Sequence, residues 1–540
     1  MLRLINLLKN SFNFRLLLSA LSGLIAVFAW PPSTWNFMLL FAFVPVIMAF
    51  YYSPNIKNAL LNIFVCLFLF HSISMSWFSS ITDQPLANAL IYFAYLLIPF
   101  GQTLPWLLSY WVMRKKGIGI AFFALPFFCL SYEIFHYHWD LSYTWMHLGL
   151  GFSESPYFLK LYPYMGQEGG SFFIYLSNLL LATIFLTQSG KKRIMASGIL
   201  ILLLVLPLLI PKGQSQKSTD SIKIGVYQPS TDPKQIYTNE TIDSNFNLLK
   251  TAVEERLDEK IDLLACPEGY FRNFHDNPII FNNPFKHNIV QKLMQLSQEH
   301  DFGIITGVIV IQLYYVNDPP TVSALKKKDG LYYDTYNAAM LIEPNGNIQW
   351  RPKSRLVAFT ERVPFLEIFK FLEVLHLDFT QSAGSYNYKK NSLPFTYKNM
   401  VIAPLICYES LYPGVTNGLL QRKSNIVMEF SNENWSGTTN KGQQQHESYA
   451  SVNAAQFGKN YVRSTFNKGS SVFFENGIDK YQRDTVEDDF IVLEADLIEG
   501  KTFYTNYRNN WNYVFFITIV LIFISLIDWK DSKRKLVLLK

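Results

Sequence analysis

Apolar runs recur through the first 210 residues, near 14–30, 37–52, 58–79, 87–112, 118–136, 171–187 and 194–210. Each approaches the length a helix needs to cross a hydrocarbon core of about 30 Å. The pattern then changes. Residues 211–220 (PKGQSQKSTD) are polar, hold Pro, Gly and Ser, and read as a linker. Residues 221–505 carry the mixed pattern of a water-soluble domain, and an eighth apolar run, 512–529, precedes a basic tail, 530–540. The expected architecture is a multi-span α-helical membrane domain of about eight helices, with an α/β domain inserted before the last one.

Within 221–505, strand-like and helix-like periods alternate. SIKIGVYQP (221–229), IDLLACPE (261–268), FGIITGVIVI (302–311), NMVIAPLICYES (399–410) and NIVMEFSNENW (425–435) read as strands. Residues 242–259 and 286–300 fit amphipathic helices. Residues 337–353 read as a hairpin around Pro344-Asn345-Gly346-Asn347. This alternation predicts a layered sandwich with functional residues at strand ends. Between two spans, 137–170 is dense in Trp, Tyr and Phe. Two readings stay open for it: an aromatic belt at headgroup level, or a half-inserted element lining a lateral opening for lipid. Glu133, inside a span, is either functional or bonded to a neighbouring helix.

Composition supports the division. Half the residues are hydrophobic and only 16% are charged, against about a quarter in soluble proteins. A mean hydropathy of +0.12 is nevertheless too low for a chain embedded throughout. Lys and Arg gather at Arg3, Lys9, Lys57, Arg114–Lys116, Lys191–Arg193 and the tail, whereas loops 31–36 and 80–86 hold none and 137–170 only Lys160. By the positive-inside rule both termini are cytoplasmic and the soluble domain faces away from the cytoplasm. The net charge of +6 includes no basic block on the soluble part, which excludes nucleic acid as a partner. Cys66, Cys129, Cys266 and Cys407 make no disulfide framework, a single Cys266–Cys407 bridge being the alternative. Nine histidines without paired spacing suggest no metal, and no phosphate-binding glycine loop or Gly-x-Ser-x-Gly elbow implies a cofactor or a serine nucleophile.

Glu268, Lys353 and Cys407 each stand where a buried strand runs out. A thiol, a carboxylate and an ammonium form a workable nucleophilic site. The carboxylate takes the thiol proton, the positive neighbour lowers the thiol pKa, and the ammonium faces an oxyanion.

Pro267-Glu268, then Lys353 followed by Leu356-Val357 and Glu361-x-Val363-Pro364, then Ile406-Cys407-Tyr408-Glu409 resemble the nitrilase superfamily of carbon–nitrogen hydrolases. Phe28-Ala29-Trp30-Pro31, Trp77, Glu133, Trp145, Gly149, Gln167, Gly169, Gly170 and Asn178 extend the likeness into the membrane part, and Ser431-Asn432-x-x-Trp435, Arg463, Asn467 and Gly469-Ser470 extend it downstream. Together they resemble that superfamily's membrane branch, the apolipoprotein N-acyltransferases. The resemblance implies an α/β/β/α sandwich and a bacterial inner-membrane enzyme with its catalytic domain on the periplasmic side. It implies a two-step transfer. Cys407 takes an acyl chain from a phospholipid, and the thioester passes it to the amine of a diacylglyceryl-cysteine lipoprotein. Glu268 is the implied base and Lys353 the oxyanion partner. Glu361 and Glu409 orient them, Tyr408 flanks the nucleophile, and Trp435 faces the acyl chain or the mouth. No cofactor is implied, membrane lipid is a partner, and a monomer is expected. The chain departs from the family pattern at Arg351, Gly269-Tyr270, Ala358-Phe359-Thr360-Glu361-Arg362, Ser436 and Asn453-Ala454-Ala455-Gln456. One alternative is a membrane-bound amidase with water as acceptor. The other is a non-catalytic transporter or lipid-binding scaffold.

Overall fold

The computed structural model describes residues 2–526 apart from 82–84, 211–217, 230–238, 272–277, 316–320, 328–329, 376–384, 391–392, 434–439, 467–471, 476–478 and 483–488. The expected linker lies mostly, and the basic tail wholly, outside the described residues. Among the described residues seven helices are long and apolar enough to cross a membrane. They are Phe12–Ala29, Ile56–Ser74, Asn88–Lys116, Ile118–Phe135, Tyr162–Leu186, Gly190–Leu209 and Phe503–Leu526.

The run at 37–52 differs from expectation. It is a 3-10 turn, Asn36–Leu40, and a short helix, Val44–Tyr51, broken between them. A break at membrane depth needs its freed backbone groups satisfied from within the protein. Asn178 does this from the Tyr162–Leu186 helix. Its Oδ1 accepts from the Phe43 N–H at 2.8 Å, and its Nδ2 donates to the Leu39 carbonyl at 2.7 Å. The Ser22 and Ser177 hydroxyls donate to the Ala42 and Leu40 carbonyls at 2.5 and 3.1 Å.

The soluble part is two facing sheets. The strands are β1 (Ser218–Gln228), β2 (Leu263–Glu268), β3 (Ile279–Ile280), β4 (Gly303–Tyr314), β5 (Leu325–Lys326), β6 (Tyr332–Ile342), β7 (Ile348–Pro352), β8 (Phe395–Tyr397), β9 (Met400–Ile406), β10 (Ile426–Asn432), β11 (Tyr461–Phe466), β12 (Val472–Glu475), β13 (Asp479–Gln482) and β14 (Asp489–Ile498). One sheet runs β14-β1-β2-β4-β6-β5, with β3 on β4 and β7 on β6; the other runs β13-β12-β11-β10-β9-β8. The middle of each sheet is parallel: β1-β2-β4 and β9-β10-β11.

The period of two along each strand builds the layers. Leu263 and Ala265 of β2 face the other sheet, packing with Ile402, Ile406, Met428 and Phe430. Leu264 and Cys266 face outward, against the helices Asn239–Glu254 and Asn288–His300. The second sheet is covered by Pro413–Leu420 and Lys441–Phe457. The result is the expected α/β/β/α sandwich. It also explains why no Cys266–Cys407 bridge forms: all four cysteines are free, and Cys266 lies on the outer face of its sheet.

Much of the aromatic segment after Phe135 is buried, while Leu141 and Tyr164 stay exposed. It folds into the seam between membrane helices and sandwich. Trp145 is buried, and its indole N–H donates to Gln445 Oε1 at 2.9 Å, where the Trp77 indole also donates at 3.0 Å. Gln445 Nε2 donates to the carbonyls of Pro31 and Ser74 at 3.0 and 3.2 Å. Further along the same helix, Ser448 accepts from Ser153 at 2.9 Å and Gln456 from the Gln167 N–H at 3.1 Å. Glu133 accepts from the Leu148 N–H at 3.2 Å, which makes it a fastener of this segment.

Candidate active site

Glu268 ends β2 and Cys407 follows β9, both parallel strands, and Lys353 follows β7, which the antiparallel β4-β6-β7 meander turns to run the same way as β2, so all three reach one rim of the sandwich. This is where an open α/β sheet presents its site, beyond the carboxyl ends of its strands. Local rules are broken here for cause. The β2–β4 register slips between Cys266 and Glu268, and Gly269 follows at φ +76°. Gly307 lies opposite; a Cβ there would come within 2.8 Å of Glu268 Cα. Cys407 itself sits at φ +49°, between β9 and the 3-10 turn Cys407–Leu411. A non-glycine residue held in the left-handed region costs of order 1 kcal/mol or more and persists where the surroundings fix it.

Those surroundings are ionic. Glu409 is fully buried and receives both Arg351 guanidinium nitrogens, Nη1 on Oε2 at 2.6 Å and Nη2 on Oε1 at 2.9 Å. It also accepts from the Ser354 N–H at 2.8 Å and the Ile406 N–H at 3.2 Å. The carboxylate thus ties the turn that carries Cys407 to the loop that carries Lys353. Burial opposes its charge, but Arg351 and the hydrogen bonds win and hold Glu409 below the ordinary carboxylate range.

Lys353 is 1% exposed and donates to Glu361 Oε1 at 2.9 Å. Burial disfavours its charge, but the Glu361 and Glu268 carboxylates outweigh that and raise its pKa, so it is an ammonium. Asn337, on β6, bridges the two acids: its Nδ2 lies 2.6 Å from Glu268 Oε1 and 2.9 Å from Glu361 Oε1. The Asn432 N–H donates to Glu268 Oε2 at 3.3 Å. Glu361 Oε2 accepts from the Val357 N–H at 2.8 Å.

The Glu268 pKa is raised, by burial first and then by the Glu361 charge, against the pull of Lys353. The Cys407 thiol is also raised well above its ordinary value, by burial and by Glu268, with Lys353 and a Ser431 hydrogen bond acting the other way. This corrects the expectation of a lowered thiol. Lys353 pulls in that direction, but desolvation and two carboxylates exceed it. The resting sulfur is an S–H, so any attack by it needs a base at hand.

Tyr408 points from the Cys407 turn to the membrane domain, its hydroxyl 3.2 Å from Thr144 Oγ1 and 3.3 Å from the Ser142 carbonyl. Trp435, and with it Ser436, Asn467 and Gly469-Ser470, lies outside the described residues. Sequence reasoning gave Asn337 no role, although a lone amide in an apolar strand is a signal. It also gave no role to Glu433 and His446. Ser431 Oγ donates to Glu433 Oε1 at 2.9 Å; Glu433 pairs with Arg463 and lies 3.1 Å from His446 Nδ1. Burial works against the charge of Glu433, yet Arg463 and His446 bring its pKa down to about 2.

Comparison with known proteins agrees with this architecture. Residues 223–499 match the carbon-nitrogen hydrolase family, and residues 22–180 match the apolipoprotein N-acyltransferase N-terminal domain. The chain belongs to the carbon–nitrogen hydrolase family, in the branch that joins this sandwich to a membrane-embedded N-terminal domain. Its curated relatives include the apolipoprotein N-acyltransferase of Chlorobaculum tepidum, 24% identical over 87% of each chain. Those of Bdellovibrio bacteriovorus, 28% identical over 71% of this chain and 73% of the relative, and of Borreliella burgdorferi, 24% over 96% of each, are similar too.

Proposed function

We propose that this membrane protein transfers a fatty acyl chain from a phospholipid, through a thioester on Cys407, to the N-terminal amine of a diacylglyceryl-cysteine lipoprotein. Both substrates hold their acyl chains in a membrane, which suits a site fastened to spanning helices. The positive-inside pattern supports both termini being cytoplasmic and the sandwich facing away from the cytoplasm, which in the bacterial inner membrane implied by the family is the periplasmic side.

In the first step Glu268 takes the Cys407 proton as sulfur attacks the ester carbonyl. The oxyanion forms beside the Lys353 ammonium. The C–O bond breaks, and the lysophospholipid leaves with the proton from Glu268. In the second step the neutral amine attacks the thioester and Glu268 accepts its proton. The C–S bond breaks, and the sulfur regains a proton from the same carboxyl. Glu361 keeps Lys353 charged and in place, and Glu409 holds the turn that presents Cys407. Trp435 is assigned to the acyl chain or the mouth.

The observation that carries the reading is the convergence of three elements. Asn337 bridges Glu268 to Glu361, the carboxylate that holds the buried Lys353 ammonium, and a half-buried thiol sits on a turn tied through Tyr408 to the membrane domain. The same triad would serve an amidase with water as acceptor. The match of 22–180 to an N-acyltransferase membrane domain favours transfer over hydrolysis. The test is intact-protein mass spectrometry after incubation with acyl-labelled phospholipid. A single acyl adduct on Cys407, absent from Cys407→Ser, stable to water and discharged by a lipopeptide amine, is expected. Rapid release of free fatty acid without an accumulating adduct would point to the amidase.

A further inference from the structure

A second cleft, of about 320 Å³, opens on the seam between the membrane helices and the sandwich, and none of Glu268, Lys353 and Cys407 lines it. Its floor is the end of two spans. Tyr137 and His138 come just after the Ile118–Phe135 helix, and Arg508 comes just before Tyr513–Leu526. Its wall is sandwich: Arg351, Arg355, Lys390 and Arg422, with the glycine-bearing helix Pro413–Leu420. Five side chains of fixed positive charge therefore surround it, and no carboxylate lines it among the described residues.

The two innermost cations each pair with an acid that does not line the cleft, Arg351 with both oxygens of Glu409 and Arg508 more loosely with Glu168. Arg508, 8% exposed, reaches Glu168 at 3.5 Å, and that carboxylate also takes the Tyr504 hydroxyl at 2.7 Å. Among the described residues its Nε has no hydrogen-bond partner, and neither does Nε of Arg351, which is 1% exposed. A buried N–H without a partner is costly and marks a place for an acceptor. Arg355 lies over the Tyr412 ring and Arg508 over the Tyr137 ring, at 5.3 and 5.5 Å, so aromatic faces brace both guanidiniums in position. The same field is felt by His138, held below its ordinary value by burial and then by Arg355 and Arg508.

From this geometry we propose that the cleft binds the phosphate of an anionic phospholipid headgroup, at the water–membrane boundary, as a site separate from the reacting thiol. Guanidinium forks match phosphate oxygens, and Tyr137, His138 and Arg508 place the cleft beside span ends, the level at which headgroups sit. A phosphate there fills the vacant acceptor positions on Arg351 and Arg508. A diacylglyceryl group, having no phosphate, finds nothing to bind. The cleft thereby selects phospholipid from among the lipids that reach the seam.

The test uses full-length protein carrying Cys407→Ser, so that its outcome is independent of acyl transfer. Native mass spectrometry reads retention of phosphatidylglycerol, of diacylglycerol with the same chains, and of inorganic phosphate. Phosphatidylglycerol is expected to bind well ahead of diacylglycerol. Arg355→Gln together with Arg422→Gln, which spares the buried pairs, is expected to weaken it about tenfold. Raising salt on the protein without those two changes should weaken it likewise, which keeps the test available if the double variant misfolds. Equal retention of diacylglycerol, or no response to the double variant and to salt, overturns the proposal. So does binding of inorganic phosphate without the lipid, or stronger displacement by an acidic peptide than by phosphatidylglycerol.

Discussion

Glu268 and Glu433 are both buried carboxylates, yet their environments move them in opposite directions. Glu268 is raised because desolvation and Glu361 outweigh Lys353. In its proposed role as base it works only when ionised, so thioester formation should fall with decreasing pH along a limb centred above the ordinary carboxylate value of 4.5. A pH profile of adduct formation checks this, and a limb at or below 4.5 would contradict the assignment. Glu433 is depressed to about 2 by Arg463 and His446. A group whose folded pKa lies below its unfolded one stabilises the fold above the unfolded value and loses that stabilisation as pH falls through the folded one. The window is therefore pH 4.5 down to about 2. Glu433→Gln is expected to lower stability at pH 7 by roughly 3 kcal/mol and to remove the transition component in that window, read by thermal unfolding across pH. The expected readout includes reduced thioester formation, because Ser431 links Glu433 to the thiol.

The rim of the sandwich depends on strand ends that depart from regular geometry. β4 passes Glu268 so closely that only hydrogen fits at position 307, and the neighbouring atoms are backbone and Cβ, which cannot swing aside. Gly307→Ala should displace Glu268 from Asn337 while leaving the buried strands paired. Small misplacements of a catalytic group cost up to about a hundredfold. Acylation should therefore slow by about ten- to a hundredfold with a melting temperature changed by only a few degrees. Full activity in that variant would show that the base tolerates movement. The broken helix at 36–51 follows the same logic in the membrane part. Irregular backbone persists there because Asn178, Ser22 and Ser177 take up its freed groups.

Across the whole molecule, the Lys441–Phe457 helix joins two unlike environments. One side covers the second sheet through Ala450, Ala454 and Phe457. The other meets the membrane domain through Gln445, Ser448, Ser451 and Gln456. Gln445 receives two indole N–H groups and donates to two carbonyls, all buried. Gln445→Leu fits the volume but removes that shared acceptor and donor. Each buried polar group deprived of a partner costs about 1–3 kcal/mol. The variant should unfold several degrees lower in detergent and show faster proteolysis at the seam. Unchanged protection would mean that the contact between the two parts rests elsewhere.

Much of this molecule was legible from local pattern. A run of apolar residues needs no distant partner to favour the membrane, and a period of two declares a strand's two faces. Glu268, Lys353 and Cys407 could be singled out because each ends such a strand. What the chain alone did not reveal depends on residues far apart in sequence. In the apolar run at 37–52 only Pro45, in the first turn of the second piece, hints at a break, and the amide that permits the break comes from Asn178. Arg351 reads as an isolated departure until Glu409 meets it, and Asn337 as a hairpin residue until two acids converge on it. The direction of the Cys407 shift is likewise a sum of desolvation, Glu268, Lys353 and Ser431. Burial and charge act through space, so tertiary proximity alone sets their balance, whereas hydropathy and strand period act along the chain and are already written there.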